Sequence, residues 1–335
     1  MFDGVDFMSS SNASPTAFGW DFQVNAAIYL MLINIQEARA IRVEGIDEDI
    51  EITLNDGSKI YSQAKSVVKY DDYRNVLDYL KKALNTLNNA SINDDVNTLI
   101  YVTNTPNPLN NKNDMHYFQG CTNLKYSELS NVDKAKIDKI INSFEHKHID
   151  ISKLKIVRIP FYGEDTRNRY KDIKRQIEEF LSEINITNVS ISSRLMRVWH
   201  HDCFHNASIA DTSVRISKGD FIWPVISIVL ENTTSNNFLD ELNGDDRDYI
   251  EGEYKKYIDY ESTNYKLISK VLTTYQKSKM KINEFINLYW REFYKIVETF
   301  KELDENEKEI LVKIILARII KNRIVINNIK AGVNL

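Results

Sequence analysis

The sequence predicts an α/β domain, a mixed sheet flanked by helices, followed by a smaller α-helical domain. Three observations carry that expectation. A hairpin-coded pair of strands lies between residues 50 and 65, with alternating apolar residues on either side of an Asp-Gly turn. Continuous apolar strands at 97–103 and 153–161 follow helix-periodic segments, as buried crossover strands do. Beyond residue 249 the apolar period is helical throughout.

The elements follow in order. Residues 1–12 read as a polar lead. Ser14-Pro15 is an N-cap and first helical position. Phe18, Phe22, Ala26 and Leu30 then form an i, i+4 face toward the sheet, and Gly19 reads as a point of close backbone approach. Residues 40–44 open the sheet, 50–54 alternate, and 59–65 return after Asn55-Asp56-Gly57-Ser58, where glycine supplies the positive φ of a hairpin turn. Asp71 or Asp72 caps a helix to about residue 89, with Val76, Leu77, Leu80, Ala83, Leu84 and Leu87 on its apolar face. Helices are also expected at 130–144 and 165–184. The second carries Arg167, Arg169, Lys171, Lys174 and Arg175, usually a solvated face and otherwise a phosphate contact.

Residues 189–198 are a strand or a helix entry leading into Trp199-His200-His201-Asp202-Cys203-Phe204-His205. A structural zinc site needs a second pair of ligands, and Cys121 is the only other cysteine, so a packed seam is the preferred reading. The apolar run 221–226 and a polar hinge at 232–248 put the boundary near residue 235. That gives a first domain of 1–235 and a helical oligomerisation or partner-docking domain of 236–335, with helices at 249–277, 283–301 and 306–326.

Composition narrows the function. The 335 residues carry 43 basic against 48 acidic groups, a net charge of −5, so any grip on nucleic acid comes from local patches or a partner. Two cysteines, no signal-peptide pattern and no bilayer-length apolar run point to a cytoplasmic protein without membrane contact. Phosphate loops of the Walker type, nucleophile elbows and kinase signatures are absent.

The hairpin carries the chemistry. Folding at Asp56-Gly57 brings Asp49 and Glu51 level with Gln63 and Lys65, and period two puts each pair on one face. Carboxylates, an amide and a lysine so gathered suit Mg²⁺ or Mn²⁺ and the hydrolysis of a phosphodiester. The bland alternative is a solvated acidic turn beside a surface lysine.

The ordered set Gly19-Trp20-Asp21-Phe22-Gln23, Val43-Glu44, Asp49-Ile50-Glu51 and Tyr61-Ser62-Gln63-Ala64-Lys65-Ser66 resembles the PD-(D/E)xK nuclease superfamily, in the variant with Gln at the second acid. It is similar to the nuclease domain of CBASS CD-NTase-associated effector endonucleases and of Lamassu- and HerA-coupled anti-phage nuclease subunits. The resemblance covers about the first 220 residues. It implies a restriction-endonuclease-like fold and a Mg²⁺-dependent endonuclease of double-stranded DNA, kept silent until a partner or oligomer rearranges. Asp49 would be the metal carboxylate, Gln63 the second-acid position, the Ala64 carbonyl a further ligand and Lys65 the catalytic lysine. Glu44 matches an upstream acid and Gln23 the polar residue of the first helix. The run Asp47-Glu48-Asp49-Ile50-Glu51 offers four acids, leaving Glu51 open beside Asp49 as ligand. Implied partners are an SMC-like or HerA-like ATPase, a further small subunit and copies of the chain itself. The rival expectation is a non-catalytic, nuclease-like subunit that docks an ATPase.

Overall fold

The computed structural model describes residues 14–186, 189–231 and 244–335. The polar lead at 1–12 and residues 232–243 of the expected 232–248 hinge lie outside them; residues 244–248 of that hinge are helical. Two compact units form: one holds residues 14–182 and Ser192–Lys218, the other Glu183–Ile191 and Gly219–Leu335. The longer stretch of the second unit begins at Gly219, whereas the sequence places the boundary near 235, and Glu183–Ile191 joins it from within the first. The apolar run 221–226 belongs to it as part of helix α6 (Lys218–Glu231), which carries Pro224 inside.

The first unit is α/β, built on a seven-stranded mixed sheet in the order β5-β6-β4-β3-β2-β1-β7. Strands β1 (Ala38–Val43), β2 (Ile50–Leu54) and β3 (Lys59–Lys65) form an antiparallel meander. The turn between β2 and β3 carries Gly57 at φ +89°, the left-handed value its sequence requires. β3 then pairs in parallel with β4 (Val96–Thr103), and β4 with β6 (Leu154–Arg158). Two short strands that no run of alternation announces complete the edges: β5 (Thr122–Lys125) on β6 and β7 (Ile216–Ser217) on β1.

Helices cover the sheet. α1 (Ser14–Ile33) is buried at nearly every residue from Phe22 to Leu32, not on one stripe, because α5 (Ser192–Ser208) packs along it. Among the described residues nothing lies within 4 Å of where a Gly19 Cβ would sit, so none of them makes the expected close approach. α2 (Val76–Ala90) starts four residues after Asp72, whose carboxylate instead accepts from the Arg74 backbone and guanidinium. Leu80, Ala83, Leu84 and Leu87 of α2, with Ile137 of α3 (Asn131–Ile141), pack on Tyr61, Leu99, Tyr101 and Ile156 of the sheet; Leu77 is exposed. α4 runs over Lys171–Glu183.

The second unit is helical. Central to it is α11 (Glu305–Lys321), opened by an Asp304–Glu307 capping box and buried on all sides from Ile310 to Ala317. Around it lie α7 (Gly244–Glu253), α8 (Lys255–Ser262), α9 (Tyr265–Ser278) and α10 (Ile282–Tyr289). The expected helix 249–277 is thus three helices, broken at Tyr254 and Asn264, and 306–326 divides into α11 and α12 (Arg323–Gly332). Arg318 and Lys313 pair with Asp259 and Glu309 inside the unit. Among the described residues no helix is long and apolar enough to cross a membrane.

Candidate active site

The loop between β1 and β2 sets the geometry. Glu44 takes a left-handed φ of +55°, uncommon for a residue with a Cβ. Its N–H donates to the Asp49 carbonyl (2.8 Å), and the Gly45 N–H donates to the Glu48 carbonyl (3.0 Å). The Glu51 carboxylate lies over Gly45, where a Cβ would sit 2.2 Å from it. It accepts from the Asp47 N–H (3.0 Å) and from the Arg215 guanidinium (3.0 Å). Glu51 is therefore a buried brace for the loop, ladder-paired with Tyr61. Strand alternation does not reach Asp49, which sits in the loop before β2, so the expectation that Asp49 and Glu51 share a face does not hold.

Asp49 turns toward β3. One oxygen, Oδ2, accepts from the Gln63 amide and from the Ala64 N–H (2.9 Å), with the Lys65 ammonium at 3.8 Å. The Asp49 and Lys65 side chains are 22% and 28% exposed, so this edge is open to an incoming group. Burial raises the Asp49 carboxyl above its ordinary range; Lys65 and the Ala64 N–H oppose that, and Glu44 adds to it. Gln23 on α1 donates to Glu44 Oε1 (2.6 Å) and to the Asp49 carbonyl (3.2 Å), tying α1 to the loop. On the other side Thr86 of α2 donates to Gln63 Oε1 (2.8 Å). A hydroxyl both donates and accepts, so the Gln63 carboxamide can turn end for end and keep that bond, offering its oxygen to Asp49's side.

Sequence reasoning passed over Glu48. It is 4% exposed, and among the described residues neither carboxylate oxygen has a hydrogen-bond partner. Burial, with the Asp49 charge beside it, pushes its carboxyl up to about 9, against the pull of Thr86 and Lys65. The Thr86 hydrogen is already shared between Gln63 Oε1 and the Ala83 carbonyl. Gly45, a turn signal inside the acidic run, was the cue that this stretch leaves the strand pattern.

The donors suit a hard divalent cation, which takes oxygen ligands from one or two carboxylates and keeps several waters. Among the described residues, no three His, Cys, Asp or Glu side chains form a ready cage. Beside the site, a hollow of about 460 Å³ starts at Ser66, next to Lys65, and is lined by Val67, Lys69, Arg74 and Tyr79.

The other singled-out residues are engaged elsewhere. The Trp199–His205 stretch lies within α5, with Trp199 and Cys203 buried. His200 faces Asp21 of α1 (3.1 Å), which also accepts from Tyr170 (2.8 Å) and lies near Arg169 (3.5 Å). This closed network floors an apolar cavity of about 610 Å³ lined by Trp20 and Phe204. Of the basic residues near α4, Arg169 also binds the Gly163 carbonyl, Arg175 pairs with Asp172 and Glu179, and Lys174 with Glu178. Those pairs leave little of the expected basic patch for phosphate.

No family model and no curated protein matches the sequence. Among solved structures, the chain is similar to one from Acinetobacter baumannii described as a Cap4 SAVED/CARF-domain containing receptor with the cyclic trinucleotide 2'3'3'-cAAA, at 13% identity and a TM-score of 0.38. The match covers 81% of this chain and 64% of that one. At that identity and score it carries no functional argument.

Proposed function

We propose that the α/β unit is a restriction-endonuclease-like, PD-(D/E)xK-type DNA endonuclease dependent on Mg²⁺ or Mn²⁺. The observation that carries this reading is the convergence of Gln63, the Ala64 N–H and Lys65 on one oxygen of the partly buried Asp49. Asp49, with the Gln63 oxygen and the Ala64 carbonyl, would hold the ion. When bound, such an ion lowers the pKa of a water and stabilises charge on a phosphoryl oxygen. Lys65 orients the attacking water and offsets charge building on the phosphate. The water oxygen bonds to phosphorus as the phosphorus–oxygen bond to the leaving strand breaks. The hollow that starts at Ser66 carries Lys69 and Arg74 on its wall, and a nucleic-acid strand running there would draw them from their pairs with Glu164 and Asp72.

The role of effector in a bacterial anti-phage complex rests on the resemblance of the ordered motif set. A net charge of −5 and the paired basic residues near α4 fit a nuclease whose DNA grip depends on an ATPase partner or on self-assembly. The test is cleavage of supercoiled plasmid by the full chain with Mg²⁺ or Mn²⁺. The parent should nick and linearise it, and Lys65→Ala and Asp49→Ala should each lose about 10²-fold or more. Cleavage that survives both substitutions removes the site. A parent that never cleaves leaves the ATPase-docking subunit as the better account.

A further inference from the structure

We propose that Glu48 is the second carboxylate ligand of the cation site, supplied from the β1–β2 loop where Gln63 on β3 brings no charge. This rests on the reading of Asp49 as a cation ligand. The Glu48 side chain is 4% exposed, and among the described residues both of its oxygens lack a hydrogen-bond partner. A buried carboxylate left unsatisfied is among the costliest groups a fold can hold. A proton on the carboxyl removes the charge but still leaves the group short of donors for its oxygens among the described residues. Thr86 lies near enough to pull the carboxyl down, but its one hydrogen is already shared between Gln63 and Ala83. Lys65 does not neutralise it by contact: its ion pair is with Asp49 Oδ2.

The loop is also not a solvated turn that happens to fold inward. Glu51, Arg215 and the crowded Gly45 brace it from beneath, and Gln23 ties its ends. A braced loop that buries one carboxylate beside a second offers a cation two charged oxygen donors. Oxygen donors without sulfur or imidazole select Mg²⁺ or Mn²⁺ over zinc or copper.

Binding of Mn²⁺ alone to the full chain, followed by the EPR signal of free Mn²⁺, tests this without catalysis. The parent should bind, and Lys65→Ala should bind at least as well. Glu48→Gln should lose roughly tenfold or more, the lower end of what even an outer-shell partner costs. Asp49→Asn should lose at least as much. Parent-like affinity in Glu48→Gln, with loss in Asp49→Asn, overturns the Glu48 assignment and leaves the Asp49 reading standing. Parent-like affinity in both, or no binding by the parent at millimolar Mn²⁺, overturns the site itself. Melting in EDTA separates folding from binding: Glu48→Gln should melt no lower than the parent. A lower melting point would make Glu48 a structural brace and end the proposal.

Discussion

Replacing Glu48 with glutamine should stabilise the metal-free protein, against the usual direction of changes at a buried residue. In the fold its carboxyl sits at about 9 instead of the ordinary 4.5, chiefly through burial. Because the folded value is the higher one, the folded chain holds a proton that the unfolded chain has released between those limits. Stability therefore falls as pH rises from 4.5 toward 9, at roughly 1.4 kcal/mol per pH unit. Near pH 7 that is about 3 kcal/mol, and near pH 5 less than about 1 kcal/mol. Glutamine has nearly the same shape and no charge to lose, so Glu48→Gln should recover most of it. For a unit of this size the gain corresponds to a rise of roughly 6–12 °C in Tm near pH 7 in EDTA, shrinking toward zero near pH 5. Differential scanning calorimetry in EDTA at the two pH values measures it. Saturating Mg²⁺ should narrow or reverse the gap, since only the parent gains from the ion. A variant that melts with the parent at both pH values would refute the buried, unpaired carboxylate.

Three further substitutions test the surroundings. Gly45→Ala pushes a methyl into the Glu51 carboxylate and should cost about 1–3 kcal/mol by thermal melting, with Mn²⁺ affinity falling as the loop shifts. Glu51→Gln breaks the Arg215 ion pair and should cost about 2–4 kcal/mol, yet the folded variant should keep parent-like Mn²⁺ affinity; loss of affinity without loss of stability would restore Glu51 as a ligand. At Asp21 burial alone would raise the carboxyl, but His200, Tyr170 and Arg169 outweigh it and hold it below its ordinary 3.8. Its contribution is present above 3.8 and lost as pH falls through the folded value, so the parent and Asp21→Asn should differ in Tm near pH 7 and converge in acid.

What the sequence made legible was local. The Asp56-Gly57 turn and the alternation around it specify the β2–β3 hairpin, and the apolar runs of β4 and β6 read as buried parallel strands because both faces are covered. Gln23, Asp49, Gln63 and Lys65 could be placed near one another since a hairpin and a preceding helix leave few arrangements. Alternation misled at Glu51 because the strand starts only at Ile50, leaving Asp49 and Glu48 on a loop whose course depends on Glu44's left-handed backbone and on Arg215, far along the chain. Edge strands of two and four residues, β7 and β5, are too short to show a period. In the helical unit the apolar period runs on past breaks at Tyr254, Asn264 and Asn322, and only the first has a glycine, Gly252, beside it.

The central claim is that the Asp49 pocket exists to hold a divalent cation. Crystals of the full chain grown with Mn²⁺, with data collected for anomalous scattering, test it most directly. A peak is expected in contact with Asp49 and a Glu48 oxygen, within reach of the Gln63 carboxamide. A peak bound elsewhere, or none while Glu48 remains buried beside an unchanged Asp49–Gln63 contact, would contradict it.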